Sequence, residues 1–216
     1  MSLDAPPAEV RQWITRHLDP LDTSIIGGME VRGDLSLDPA QAADTDRVWT
    51  PAAVLVGLVQ REQGFSVLLT RRADTLRSHT GQVAFPGGRC DPGETPWETA
   101  LREAHEEIGL DPSLVELAGL STPYRTAGTG FQIMPVVGFV SPDLMLTPNP
   151  DEVAEIFETP FGFLMNPLNL EQQERETPAG DRRRFYAATW EGQYIWGATA
   201  GMLRALYDRL YGASVA

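Results

Sequence analysis

Gly88-Arg-Cys-Asp-Pro-Gly-Glu94-Thr-Pro-Trp-Glu98-Thr-Ala-Leu-Arg102-Glu103-Ala-His-Glu106-Glu107-Ile-Gly109-Leu110 reads as a loop, one amphipathic helix and a stop. Thr95 stands where an N-cap belongs, Pro96 suits the first helical position, and Glu98 can reach back in a capping box. Gly109 ends the helix. Trp97, Ala100, Leu101, Ala104 and Ile108 recur at three- and four-residue intervals, which makes an apolar stripe for docking on a sheet. On the other side, at about 100° per residue, Glu103, Glu106 and Glu107 share an arc of roughly 100°, so their carboxylates converge. Glu106 and Glu107 also occupy the last turn, where the helix dipole disfavours acids by about 0.3–1 kcal/mol each. Stability alone would not select that arrangement. Converging anions call for a cation, and oxygen donors at this density suit Mg²⁺ or Mn²⁺, hard ions that keep several waters. A solvated acidic face is the alternative reading of such a helix.

The stretch resembles the Nudix box, G-x5-E-x7-R-E-U-x-E-E-x-G-U, with every fixed polar and glycine position matched. Ala104 is smaller than the aliphatic residue usual at its position. The resemblance implies that Glu103, Glu106 and Glu107 hold metal, that Glu94 supports them, and that Arg102 orients a catalytic carboxylate. By spacing alone, Arg102 pairs with Glu98, Glu106 or Glu94, and an ordinary surface ion pair is the alternative. Phe85-Pro86-Gly87-Gly88 leads into the box, where Gly87 and Gly88 let backbone approach a metal or phosphate closely.

Upstream, Leu68-Leu-Thr-Arg71-Arg72-Ala-Asp-Thr-Leu-Arg77-Ser-His79-Thr-Gly81-Gln-Val-Ala-Phe85-Pro-Gly-Gly88 runs without a gap into the box. It is similar to the signature L-L-T-x-R-[SA]-x3-R-x3-G-x3-F-P-G-G of the coenzyme A pyrophosphatase branch. That resemblance implies hydrolysis of coenzyme A or its thioesters to 3′,5′-ADP and 4′-phosphopantetheine or its acyl form. Arg72 and Arg77, at signature positions, are the candidate substrate-binding arginines, whereas Arg71 occupies a variable one. The residue types agree: three arginines lie close together in a chain of formal net charge -13. Such a patch attracts an anion, and arginine forks suit phosphate. The alternatives are ADP-ribose, a dinucleotide or a modified nucleoside triphosphate as substrate, or a nucleotide-sensing domain without turnover. His79 is read as a structural hydrogen-bonding residue and His105 as a surface residue.

The length of 216 residues with 42% hydrophobic content is enough for one sizeable core. A balance of 30 acidic to 17 basic residues argues against nucleic acid as a partner. The lone Cys90 excludes an internal disulfide and fits a reducing cytosol. No apolar run approaches the ~18 residues of a membrane span and no secretion pattern opens the chain, so a cytoplasmic protein is expected.

Ala5 to Leu18 reads as a helix with Val10, Trp13, Ile14 and Leu18 on one side. Residues 1–47 are expected to be an N-terminal extension packed on a domain covering 48–216. Ala52–Val59 and Phe65–Thr70 form a strand pair around a turn at Glu62–Gly64. Gln132–Val140 is a core strand, with Pro135 at an edge or bulge. Glu152–Phe157 is an ambiguous short strand, and Nudix enzymes often draw a further acid from this region, so Glu152 and Glu155 are candidate catalytic acids. A segment from Tyr194 to Leu206 passes from a strand end into a closing helix, and Trp196 is assigned to the core. The resemblance, from about Val48 to Leu210, implies the Nudix α/β/α sandwich, an α/β fold with a mixed sheet and the box as loop-helix-loop. A homodimer is expected by analogy with relatives.

Overall fold

The computed structural model describes residues 5–34, 47–73, 81–126, 128–176, 180 and 182–212. Arg77 and His79 lie outside the described residues. In chain order the elements begin with helices α1 (Pro7–Arg16) and α2 (Thr23–Ile26). Strands β1 (Arg32–Gly33), β2 (Thr50–Arg61), β3 (Gly64–Arg72), β4 (Val83–Ala84) and β5 (Gly87–Arg89) follow, then α3 (Pro96–Ile108). Next come β6 (Val115–Leu120), β7 (Tyr124–Arg125), β8 (Phe131–Val140), β9 (Val153–Pro160) and α4 (Phe161–Leu164). The chain closes with β10 (Glu171–Glu176), β11 (Arg182–Trp190), β12 (Gln193–Trp196) and α5 (Ala198–Tyr211).

The long strands β2 and β8 run parallel as the sheet's centre, and β3 and β9 extend it with antiparallel pairing. Their almost unbroken apolar stretches are explained by cover on both faces. One core cluster joins Val54, Val56, Val67 and Leu69 of the sheet to Ile14 of α1 and Leu203 and Leu206 of α5. The other joins Ala53, Leu55 and Val136 to Ala100, Ala104 and Ile108 of α3. The architecture is therefore an α/β/α sandwich around a mixed sheet. Residues 5–34 pack on this body: Val10 and Ile14 are buried, Trp13 meets Tyr211 edge-on at 5.0 Å, and Arg209 bonds Asp19 at 2.7 Å.

Two features position the site. The first is that β2 and β3 pair only from Leu58↔Val67 to Arg61↔Gly64 and then part. Into the opening run β5, paired with β2 through Ala53↔Gly88 and Val54↔Gly87, and β4, paired with β3. The second is the end of α3. Thr95 and Glu98 form a complete capping box, and Gly109, at φ 67°, terminates the helix in the left-handed conformation.

Two sequence expectations are corrected and one ambiguous segment is resolved as a strand. Pro135 sits on the central strand β8, not at an edge: its carbonyl accepts from Ser121 N–H in the gap between β6 and β7, so its missing donor faces no ladder partner. Trp196 belongs to neither core cluster. It is half-buried, 5.7 Å from the Phe185 ring and 6.3 Å from Tyr194, on a separate three-stranded sheet β10-β11-β12. The ambiguous segment at Glu152 becomes the eight-residue β9, starting at Val153.

Candidate active site

The capping box aims α3 so that its acidic face meets the glycine strand β5. Arg102 stands at the centre of the meeting. Its Nε donates to Glu94 Oε1 at 2.7 Å and its Nη2 to Glu94 Oε2 at 3.0 Å, a two-pronged pair. Its Nη1 donates to Glu103 at 2.8 Å and to Glu106 at 3.1 Å, and Nη2 also reaches the carbonyl of Arg89 at 3.2 Å. Of the three partners open to Arg102 by spacing, Glu94 and Glu106 are engaged, while Glu98 is occupied by the helix cap. Glu94 accepts further from Asp91 N–H and the Thr99 hydroxyl, and Arg102 with these donors holds its pKa down to about 2. It is a fixed anion at any physiological pH.

Glu103 lies directly over β5. A Cβ on Gly88 would come within 2.5 Å of the Glu103 carboxyl carbon, so only glycine leaves the carboxylate its place. Burial raises the Glu103 pKa, and the nearby Glu106 and Glu152 charges push the same way against Arg102. Glu107 is the buried member, 4% exposed, and accepts from Gly87 N–H at 3.2 Å. Desolvation first, and the charges of Glu152 and Glu103 after it, lift its pKa to about 7 despite Gly87 and Arg72. Glu106, by contrast, has 54% of its side chain exposed.

Glu152 and Glu155 part company. Glu152 borders the cluster, felt electrostatically by both Glu103 and Glu107, with Asn149 3.4 Å away. Glu155 is engaged elsewhere, by Arg71 at 3.3 Å and Gln193 at 3.0 Å. The bulge in the β3–β9 register between Arg71 and Arg72 accompanies this divergence. Arg72 points to the acids, with Nη1 4.0 Å from Glu107, and its Nε is buried without a hydrogen-bond partner. A guanidinium N–H in that state invites an acceptor such as a phosphate oxygen. His105 is exposed, with Nδ1 3.3 Å from the Leu110 carbonyl.

Among the described residues no three acid, cysteine or histidine side chains already form a group that could hold a metal, because Arg102 draws Glu103 and Glu106 to itself. The donor set nevertheless fits a hard divalent ion: oxygen ligands only, mutually repelling, one of them buried with a raised pKa. Beside the glycine strand opens a cleft of about 410 Å³, walled by Val54, Phe85, Ile133 and Met202 and reaching Arg72, Gly87 and Gly88. These walls escaped the sequence reading because residues on β2, β8 and α5 carry no shared motif. Only the alternation of Phe131 and Ile133 along β8 hinted at a common face.

A glycine strand and a capped acidic helix meeting where two strands of a sandwiched mixed sheet part is the frame of a Nudix domain. The family profile described as NUDIX domain matches residues 49–186. The chain belongs to the Nudix family and is a Nudix hydrolase. It is 41% identical over 161 residues to the uncharacterized Nudix hydrolase NudL of Enterobacter sp. (strain 638), covering 72% of this chain and 80% of that protein. NudL of Escherichia coli (strain K12) is 40% identical over the same shares. Among solved structures, the Nudix hydrolase RenU of M. smegmatis aligns with TM-score 0.45 and 26% identity over 52% of this chain and 71% of that one. The Nudix domain of Shewanella oneidensis NrtR, solved with ADP ribose, aligns with TM-score 0.41 and 17% identity, over 58% and 84%. No helix among the described residues is long and apolar enough to cross a membrane.

The raised pKa of Glu107 yields a pH prediction. The unfolded carboxyl titrates near 4.5 and the folded one near 7, so folding takes up a proton between these values. For a raised acid pKa, this group's contribution to metal-free stability is greatest below the lower value and falls as pH rises through the higher one. A divalent ion competes with that proton. Thermal stabilisation by Mg²⁺ should therefore be small at about pH 5 and grow to a plateau by about pH 8. Melting curves with and without Mg²⁺ across this range check it, and a shift independent of pH would separate Glu107 from the ion.

Proposed function

We propose that the protein is a metal-dependent diphosphatase that cleaves coenzyme A or acyl-coenzyme A into 3′,5′-ADP and 4′-phosphopantetheine or its acyl form. The observation that carries this reading is Arg72. It belongs to the stretch Leu68–Gly88 that resembles the coenzyme A pyrophosphatase signature, and its buried Nε lacks a partner beside the acid cluster. A diphosphate seated there would meet the exposed part of the Arg72 guanidinium and lie against the Gly87 and Gly88 backbone. Arg77, the second signature arginine, is proposed to bind the same substrate.

Glu103, Glu106 and Glu107, with Glu94 in support, would hold Mg²⁺ or Mn²⁺. When bound, such an ion neutralises phosphate oxygens and lowers the pKa of the attacking water. The chain's own groups do the rest. Arg102 anchors Glu94 and gathers Glu103 and Glu106 onto one nitrogen, so the box acids are kept in one place and those two would turn from Arg102 to serve as ligands. The base is a carboxylate that takes the water's proton as the water oxygen bonds to phosphorus and the bridging P–O bond breaks. Glu152 is better suited than Glu155, whose carboxylate is committed to Arg71 and Gln193. A cytoplasmic setting and a homodimer belong to the same reading.

The test is a panel of coenzyme A, ADP-ribose and NADH at equal concentration with Mg²⁺ and then Mn²⁺, with products resolved by mass. Release of 3′,5′-ADP with preference for coenzyme A is the expected result. Preference for another diphosphate would discard the substrate and keep the chemistry. No product from any would favour a nucleotide-sensing domain.

A further inference from the structure

The cleft beside β5 has polar side chains on its wall, but its threonines are bonded inward to the protein. Thr126 Oγ1 shares a 2.6 Å hydrogen bond with Thr129 and is paired to both the N–H and the carbonyl of Phe131. Thr199 Oγ1 donates to the Val83 carbonyl at 2.9 Å. Gln82 also lines the wall, and its backbone carbonyl accepts from Arg72 N–H at 3.0 Å. What remains for a ligand is an apolar floor of Val54, Ile133, Met202 and Phe131, with Arg72, the exposed Arg89 and the two glycines beside it.

A nucleobase seated on the floor of Val54, Ile133 and Met202 would lose water from its ring donors and acceptors and find no replacements on those side chains. A buried polar group left unsatisfied loses its hydration with nothing in return. A flexible arm that lays methyl and methylene groups on the floor and turns its amides to the open side avoids that loss. Resting on the coenzyme A reading above, we infer that this cleft receives the pantetheine arm and any acyl chain, with the nucleotide half lying outside it. Ile133 and Met202 then determine specificity for the arm.

Calorimetric titration of the two product halves, 4′-phosphopantetheine and 3′,5′-ADP, in the presence of Mg²⁺ tests this. The proteins compared are the unsubstituted chain, Met202→Trp and Ile133→Trp. Met202 is buried, so its replacement risks the fold. Ile133 is half-exposed on a strand, where an aromatic is readily accommodated, and keeps the test alive. Filling the cleft should weaken 4′-phosphopantetheine by about tenfold, the worth of nearly two buried methylenes, and leave 3′,5′-ADP within about twofold. Weakening of 3′,5′-ADP instead would put the base in the cleft, and no change in either would make the cleft irrelevant; both overturn the inference while coenzyme A hydrolysis persists. If the unsubstituted protein releases no 3′,5′-ADP from coenzyme A, the underlying reading fails and takes this one with it.

Discussion

Glu106→Gln is expected to leave the fold and melting temperature unchanged and to lower turnover by about 10²–10⁴. The side chain is more than half exposed and accepts from Arg102 at 3.1 Å, an exposed pairing on which little stability rests. Its charge, however, completes the anionic set shared with Glu103 and Glu107, and glutamine keeps the shape while removing the charge. Glu103→Gln should behave alike. The companion pair sharpens the assignment: Glu152→Gln should lose activity on the same scale, and Glu155→Gln less than about threefold, because the Glu155 carboxylate is turned to Arg71 and Gln193. Near-normal turnover in Glu106→Gln and Glu103→Gln, with intact circular dichroism, would mean that the box carboxylates do not carry the chemistry.

Two adjacent glycines should fail in opposite ways when each becomes alanine. At Gly87, whose φ is 156°, a Cβ would lie 2.4 Å from the Ala53 carbonyl oxygen and 2.6 Å from Val54 Cα. Both are backbone atoms of β2, and they can retreat only by breaking the β2–β5 ladder. Destabilisation by about 3 kcal/mol follows, or a melting temperature lower by roughly 10 °C. At Gly88 the obstacle is the Glu103 carboxyl group, the far end of a flexible side chain. Gly88→Ala should therefore melt nearly where the parent does. Its displaced carboxylate should cost roughly 10²-fold in rate, the scale of an ångström-sized misplacement. Thermal melts and initial rates on the same preparations separate the two, and equal loss of stability in both would refute the distinction.

These contrasts mark where local chemistry ended and tertiary contact began. The helix from Pro96 to Ile108, its capping box and its glycine stop were legible because each depends on residues within one turn. The strands β2 and β8 were legible as apolar stretches, but their parallel pairing at the sheet's centre was not. The antiparallel pair of β10 and β11 was not legible, since Glu171–Glu176 and Arg182–Arg184 are polar and mostly exposed and show no apolar alternation. Trp196 misled because a large aromatic suggests a core, while on β12 it is the neighbouring Ile195 that enters the core and Trp196 meets Phe185 and Tyr194 instead.

The sequence by itself determined the acid-bearing helix, its caps, the glycine approach and hence the family, all short-range properties written in spacing and residue type. Only the tertiary structure decided which acids share a volume. Glu152 and Glu155 are three residues apart, yet the register bulge opposite Arg71 and Arg72 is accompanied by one bordering the cluster and the other paired to Arg71. It alone also assembled the cleft, because Val54, Ile133 and Met202 come from three elements far apart in the chain. Spacing along a helix is set by covalent geometry, whereas contact across a sheet is set by register and packing, which no local pattern encodes.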